Sequence, residues 1–148
     1  MKAFASIVIA VVAAAVIAGF FIVGSPQEER ARRFDDRRVQ DLQTLQWEII
    51  NYWQLKQVLP QALAMLKDDI RGFTPPVDPE SGASYEYAAK GTLIFELCAI
   101  FNRENKETGS VPKVPYPYGG MENWQHGAGR TCFTRTIDKD LYPPQKPK

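Results

Sequence analysis

The chain has 148 residues, a formal net charge of +1 and a pI of about 7.7. So even a balance, with no basic run of the kind that tracks a phosphate backbone, argues against a nucleic-acid partner. Beyond a first apolar stretch there is length for one domain with a modest core, and the two cysteines, Cys98 and Cys132, suffice for one disulfide.

The apolar stretch is Ala3–Val23, AFASIVIAVVAAAVIAGFFIV, 21 residues without a charge behind Lys2. About 20 apolar residues in a helix span a bilayer, and a helix satisfies its own backbone in lipid. Residues 1–24 therefore read as a transmembrane anchor with the lipid bilayer as its partner. A cleaved signal peptide competes with this, because Ala13-Ala14-Ala15 offers a small-residue site. The apolar sequence runs on through VIAGFFIV, however, where a cleavage region turns polar. Ala13, Ala14, Ala15, Ala18 and Gly19 offer a face for helix–helix contact, or are simply part of an alanine-rich anchor. Arg30, Arg32, Arg33, Arg37 and Arg38 follow the anchor, against Lys2 before it. The positive-inside rule reads this as a cytoplasmic C-terminal domain, whereas a disulfide-ready cysteine pair favours the outside.

Residues 25–142 read as the folded domain. Ser25 suits a helix N-cap, Pro26 the first helical position and Glu28 the N3 partner of a capping box. Helical spacing then runs from Glu28 to about Gln57, with Val39, Leu42, Leu45 or Gln46, Ile49 and Tyr52/Trp53 as one apolar stripe. The preceding EERARRFDDRR places acids three and four residues from arginines and reads as a solvated stem. Anionic lipid headgroups are its alternative contact. A short helix over Gln61–Lys67 follows Pro60. In the turn-rich connector, Pro79 and Gly82 suit a type I turn begun by Asp78. Two carboxylates there, Asp78 and Glu80, fall short of the oxygen ligands calcium needs.

Strands are expected over Tyr85–Ala89 and Thr92–Phe101, joined by a tight turn at Lys90-Gly91. Leu93, Phe95, Leu97, Ala99 and Phe101 form the face toward the long helix, and Ile94, Glu96, Cys98 and Ile100 the other. A third strand over Arg130–Ile137 puts Phe133 and Ile137 inward and Cys132, Thr134 and Thr136 outward. Cys98 and Cys132 then share the outer face, where adjacent strands would let them bond. Between the strands lies Asn102–Gly129, 28 residues that read as a long loop. Residues 143–148 read as a flexible proline-rich tail.

No catalytic residue, metal site or cofactor is indicated. His126 is the only histidine and has no ligand-spaced partner. It reads as a turn residue bonding nearby backbone. Cys132, six residues on and close to Arg130, forms a conceivable nucleophile pair with it. The strand pattern and an available partner make a structural cysteine the better reading. Tyr116, Tyr118, Trp124 and His126 are the candidate interaction residues. They either present a recognition surface or fold back over the sheet.

The order ARRFDDRRVQDLQTLQWEIINYW, LPQALAML, DPESGASYEY, then strands resembles the type IV pilin and type II secretion pseudopilin class. That resemblance implies an α+β, pilin-like fold. Its N-terminal transmembrane helix continues into a long amphipathic helix packed on a small antiparallel sheet. It further implies a non-enzymatic, single-pass protein of the bacterial cytoplasmic membrane with its domain outside. The partners implied are proteins of a secretion or pilus-type assembly, or further copies through the anchor and helix. The leader of that class has no counterpart here, since Gly19-Phe20 stands at the far end of the apolar stretch and the anchor carries no Glu. The whole chain is also similar to a small-domain family of uncharacterised bacterial single-pass membrane proteins sharing FELCAIF and WQHGAGRTCF. Two other functions fit the residues: a thiol-redox protein using Cys98 and Cys132, and a cytoplasmic-facing membrane scaffold.

Overall fold

The computed structural model describes residues 2–23, 26–105 and 123–145. The chain divides into two compact units, Met1–Arg33 and Phe34–Lys148. The fold is α+β. Two helices, α1 (Lys2–Val23) and α2 (Pro26–Lys56), precede a 3-10 turn at Leu63–Leu66 and three strands, β1 (Glu86–Ala89), β2 (Ile94–Phe101) and β3 (Gly129–Thr136). Residues 24 and 25 lie outside the described residues, and with them the Ser25 cap.

In the first unit, α1 is 22 residues long, about 33 Å at the usual helical rise. Its described side chains lie exposed, Phe4, Ile7, Ile9, Val11 and Val12 among them. Among the described residues, no helix is long and apolar enough to cross a membrane. The expected span is corrected to that extent. Side chains at 17, 18 and 20–23 are outside the description, and the longest described run, residues 6–16, is too short on its own. In the stem, Glu29 pairs loosely with Arg32 at 3.8 Å and Arg33 at 3.5 Å. Such exposed pairs contribute little stability.

The second unit is built on the α2 stripe. Leu42, Leu45 and Ile49 are fully buried, with Ile50 and Trp53 nearly so. The stripe runs further toward the N-terminus than its apolar residues suggest, because Asp35, Arg38 and Asp41 are also buried. The helix ends where Gln57 adopts a φ of +61°, an uncommon conformation for a residue with a side chain. Its amide donates to the Trp53 carbonyl at 2.7 Å, and its side-chain amide donates to the Gln54 carbonyl at 2.9 Å. The last carbonyls are thereby satisfied without a glycine.

The sheet is an antiparallel meander in the order β1-β2-β3. Phe95, Leu97, Ala99 and Phe101 of β2 are buried in the core with Phe133 and Ile137, while Ile94 and Ile100 on the other face are exposed. The alternation read from the sequence therefore sets both faces of the sheet. The hairpin differs from the expected two-residue turn. Pairing stops at Ala89↔Phe95, and Lys90 and Gly91 both donate to the Ile94 carbonyl, which leaves a five-residue loop. The helix expected over Gln61–Lys67 is a single 3-10 turn whose Leu63 and Leu66 are buried. The presumed tail is held as far as residue 145: Gln54 Nε2 donates to the Pro143 carbonyl and Gln145 N to the Gln54 carbonyl, each at 3.0 Å. Residues 146–148 lie outside the description.

Because Phe95 is fully enclosed, Phe95→Ala should cost about 3–5 kcal/mol. Ile100→Ala, on the exposed face, should stay within about 0.5 kcal/mol. Denaturant unfolding of the full chain in detergent would measure both.

Candidate functional site

The most ordered polar cluster stands where α2 meets the 78–83 turn and the exit of β2. Arg38, only 3% exposed, donates from Nη1 to Asp35 Oδ1 at 2.8 Å, from Nε to Asp78 Oδ2, and from Nη2 to Glu80 Oε2 at 2.7 Å. Asp35, three residues away on the same helix face, also accepts the backbone amides of Asn102 and Arg103, both at 2.9 Å. Asn102 returns a bond to Glu80 at 2.8 Å. Helix α2 and the 78–80 turn therefore meet on one guanidinium, and Asp35 and Glu80 link it to the exit of β2.

The turn itself is not the expected four-residue one. Gly82, with φ at +70°, donates to the Asp78 carbonyl at 2.8 Å, while Asp78 Oδ1 gathers the amides of Glu80 and Ser81 and the Ser81 hydroxyl. The Asp78 carboxylate thus closes its own loop, as Asp does in Asx turns, and faces Arg38 from it. Burial works against the charge on Asp78, but the hydrogen bonds from Arg38 and the Ser81 amide outweigh it and hold the carboxyl far below its usual range. Burial likewise opposes the charge on Arg38. The bonds to Asp78, Glu80 and Asp35 reverse that and keep the guanidinium protonated beyond its ordinary range. The Asn102 amide, then Arg38, lowers Glu80. One turn along α2, Tyr85 donates to Asp41 at 2.9 Å. Burial first and Asp41 second push the phenol well above its usual pKa.

Beside this cluster is a shallow cleft of about 370 Å³, lined by Ser84, Tyr85, Glu86, Cys98 and Ile100 as well as Arg38. All three Arg38 nitrogens are engaged by carboxylates, so the arginine acts as an internal clamp rather than as an anion receptor. On the same outer face, Cys98 and Cys132 are register partners joined by a disulfide, their Cα atoms 4.0 Å apart. Glu96 lies within 4.8 Å of both sulfurs. Bonded to each other, those sulfurs provide no thiolate for a metal.

Of the proposed interaction residues, Tyr116 and Tyr118 lie outside the described residues. Trp124 and His126 fold back over the sheet. Trp124 packs on Phe133 with ring centres 4.8 Å apart and carries the Arg135 guanidinium at 4.3 Å, and His126 stacks on Phe101 at 3.5 Å. Both are buried, as in the folding-back alternative that the sequence left open. The His126 backbone is bracketed by Asn105, whose amide donates to the His126 carbonyl at 3.0 Å and whose Oδ1 accepts the His126 amide at 3.1 Å. The long loop is therefore tied at 102–105 and 123–127, closer in than the strand ends. Glu28 keeps its place in the first turn of α2.

Sequence reading placed Asp35 and Arg38 in a solvated stem and did not single out Asp41. One signal was available: positions 35, 38, 42, 45 and 49 keep a single helical face. No protein-family model, characterised protein or solved structure matches the chain.

Arg38→Met should cost about 3–5 kcal/mol, because it strands buried carboxylates without a partner. The pH dependence has a definite sign. Folded Asp78 titrates well below its ordinary 3.8, so between those values the unfolded chain binds more protons and stability rises with pH. Its contribution is complete above about pH 5 and is lost as pH drops through and below 3.8. Asp78→Asn should therefore be destabilised by about 1–3 kcal/mol at pH 7. Its deficit should shrink toward pH 2, as read from urea midpoints of both proteins.

Proposed function

We propose that this chain is a single-pass protein of the bacterial cytoplasmic membrane, with pilin-like architecture, that presents its α+β domain outside for recognition by other proteins. The Cys98–Cys132 disulfide carries the reading. A stable bond of this kind belongs to an oxidising compartment, and in a bacterial cell that lies beyond the cytoplasmic membrane. Support for the anchor comes from α1, a 22-residue helix whose described apolar side chains are exposed with no polar face to turn to water. A helix apolar on all sides needs lipid or protein around it, and the full Ala3–Val23 sequence has the length for lipid.

The role is binding rather than chemistry. Within the described residues, the buried charges beside the cleft are engaged by protein partners: Arg38 by Asp35, Asp78 and Glu80, and Asp41, farther along α2, by Tyr85 and Arg37. A general acid or base needs a group free to exchange protons with a substrate. Partners are a protein of a secretion or pilus-type assembly, or further copies through α1 and α2. The arginines at 30–38 favour the opposite orientation, but Arg38 is buried and Arg32, Arg33 and Arg37 pair with acids.

Labelling of intact cells with a membrane-impermeant maleimide, before and after an impermeant phosphine reductant, tests the assignment. Labelling that appears only after reduction is expected. Free thiols that react only once the membrane is broken would put the domain inside and remove both disulfide and presentation.

A further inference from the structure

We propose that the Cys98–Cys132 bond is exchange-competent: an external dithiol attacks Cys132 and expels Cys98 beside Arg130. The inference goes beyond presentation of the domain and does not depend on the anchor.

Position decides which sulfur is attacked. Cys98 lies on the central strand and is 3% exposed. Arg130, on β3, reaches across β2 to Glu86 on β1, with Nη2 at 2.7 Å and Nε at 3.1 Å from Glu86 Oε2, so that this pair lies over Cys98. Cys132 belongs to an outer strand and is only half buried. An incoming thiolate therefore meets the Cys132 sulfur first.

The departing sulfur is placed for the same step. Arg130 Nη2 lies 3.5 Å from Cys98 Sγ, within range to stabilise a thiolate as it forms, and a better-stabilised leaving thiolate departs faster. Among the described residues, the other charged groups on this face are Glu86, which holds Arg130, and Glu96, whose charge Lys90 balances at 3.1 Å; the adjoining cleft also holds Arg38, Asp78 and Glu80, bonded to one another. Glu96 alone would oppose a new thiolate. Lys90 offsets it, and Arg130 is the cation in contact with Cys98 Sγ.

The exchange balances in two displacements. The first thiolate of the dithiol bonds to Cys132 Sγ, the Cys98–Cys132 bond breaks, and its electron pair goes to Cys98. The second thiol then attacks the reagent sulfur of this mixed disulfide and releases Cys132 as a thiolate. The dithiol leaves as a disulfide, its two protons pass through solvent to the cysteines, and the protein gains two electrons. The reductant is a protein bearing two neighbouring cysteines, for which dithiothreitol stands in as probe. Opening the bond unties β2 from β3 at the register that closes the 99–131 segment.

The test uses the full chain in detergent under native conditions. Glutathione is added, free thiols are quenched with N-ethylmaleimide, and the adducts are mapped by mass spectrometry. Expected is glutathione on Cys132 with maleimide on Cys98, in excess of about tenfold over the reverse. Adducts in equal amounts, glutathione mainly on Cys98, or no adduct until denaturant is present would each overturn the proposal. With dithiothreitol, Arg130→Gln should slow opening about threefold to tenfold and Arg130→Lys should restore much of the rate. Salt at 0.5 M should slow the wild type and leave Arg130→Gln unchanged, a readout that altered folding would not imitate. A rate indifferent to both substitution and salt would remove Arg130 from the mechanism and with it the proposed direction of attack.

Discussion

The second unit depends on how one buried cation is satisfied. Taking a guanidinium out of water costs several kcal/mol unless carboxylates and good geometry replace the lost solvent. Arg38 meets that requirement with acids drawn from its own helix and from the 78–80 turn, and Asp35 then passes the connection on to the amides of Asn102 and Arg103. An apolar residue at position 38 would pack without these demands, but it would not dictate where the turn and the β2 exit must lie. The cluster therefore acts mainly on specificity. A slip of β2 by one residue would carry the Asn102 and Arg103 amides off Asp35 and leave its buried carboxylate short of two hydrogen bonds.

The two faces of the sheet follow different logic. The inner face is packed by dispersion and burial, with Phe95 and Leu97 fully enclosed and Trp124, Phe133 and Phe101 in contact at ring distances of 4.8–6.2 Å. Among the described residues no layer lies over the outer face, and there the strands are joined by specific bonds instead. The disulfide joins β2 to β3, and the Glu86–Arg130 pair joins β1 to β3 across the central strand. A three-stranded sheet is near the lower limit of what holds together in water. Closing the 98–132 segment contributes about 3–4 kcal/mol by restricting the unfolded chain, and the exposed ion pair adds much less.

How far the sequence could be read follows from which interactions are periodic. The alternation in Leu93–Phe101 assigned every β2 side chain to its face, and the same alternation in 130–137 brought Cys132 opposite Cys98, because period-two patterns report directly on burial. The α2 stripe was legible from Val39 onward for the same reason. Asp35, Arg38 and Asp41 were not, since a charged residue on a helix is normally solvated, and its burial depends on partners 40 to 68 residues away that no local pattern announces. The 78–82 turn was placed correctly but misread in type, because the side chain of Asp78 rather than the backbone alone closes it. Trp124 and His126 were ambiguous for a further reason. Amphipathic rings suit a surface and a core equally well, and the docking of Arg135 on Trp124 and of His126 on Phe101 decides between them.

A bond that supports so small a sheet is best left inert, yet its surroundings favour controlled access. Full burial of both sulfurs would have required an additional layer over the outer face, and no element of the described chain supplies one. With that face open, the ordering of the two sulfurs is what remains under control. The central strand and the Glu86–Arg130 pair cover Cys98, and β3 leaves Cys132 in reach. The hydrophobic core cluster includes neither cysteine, and the α2–sheet packing and the Arg38 cluster make their contacts without the bond. Reduction then removes the covalent link across the long segment between β2 and β3, whose stems the Asn105–His126 bonds also hold together.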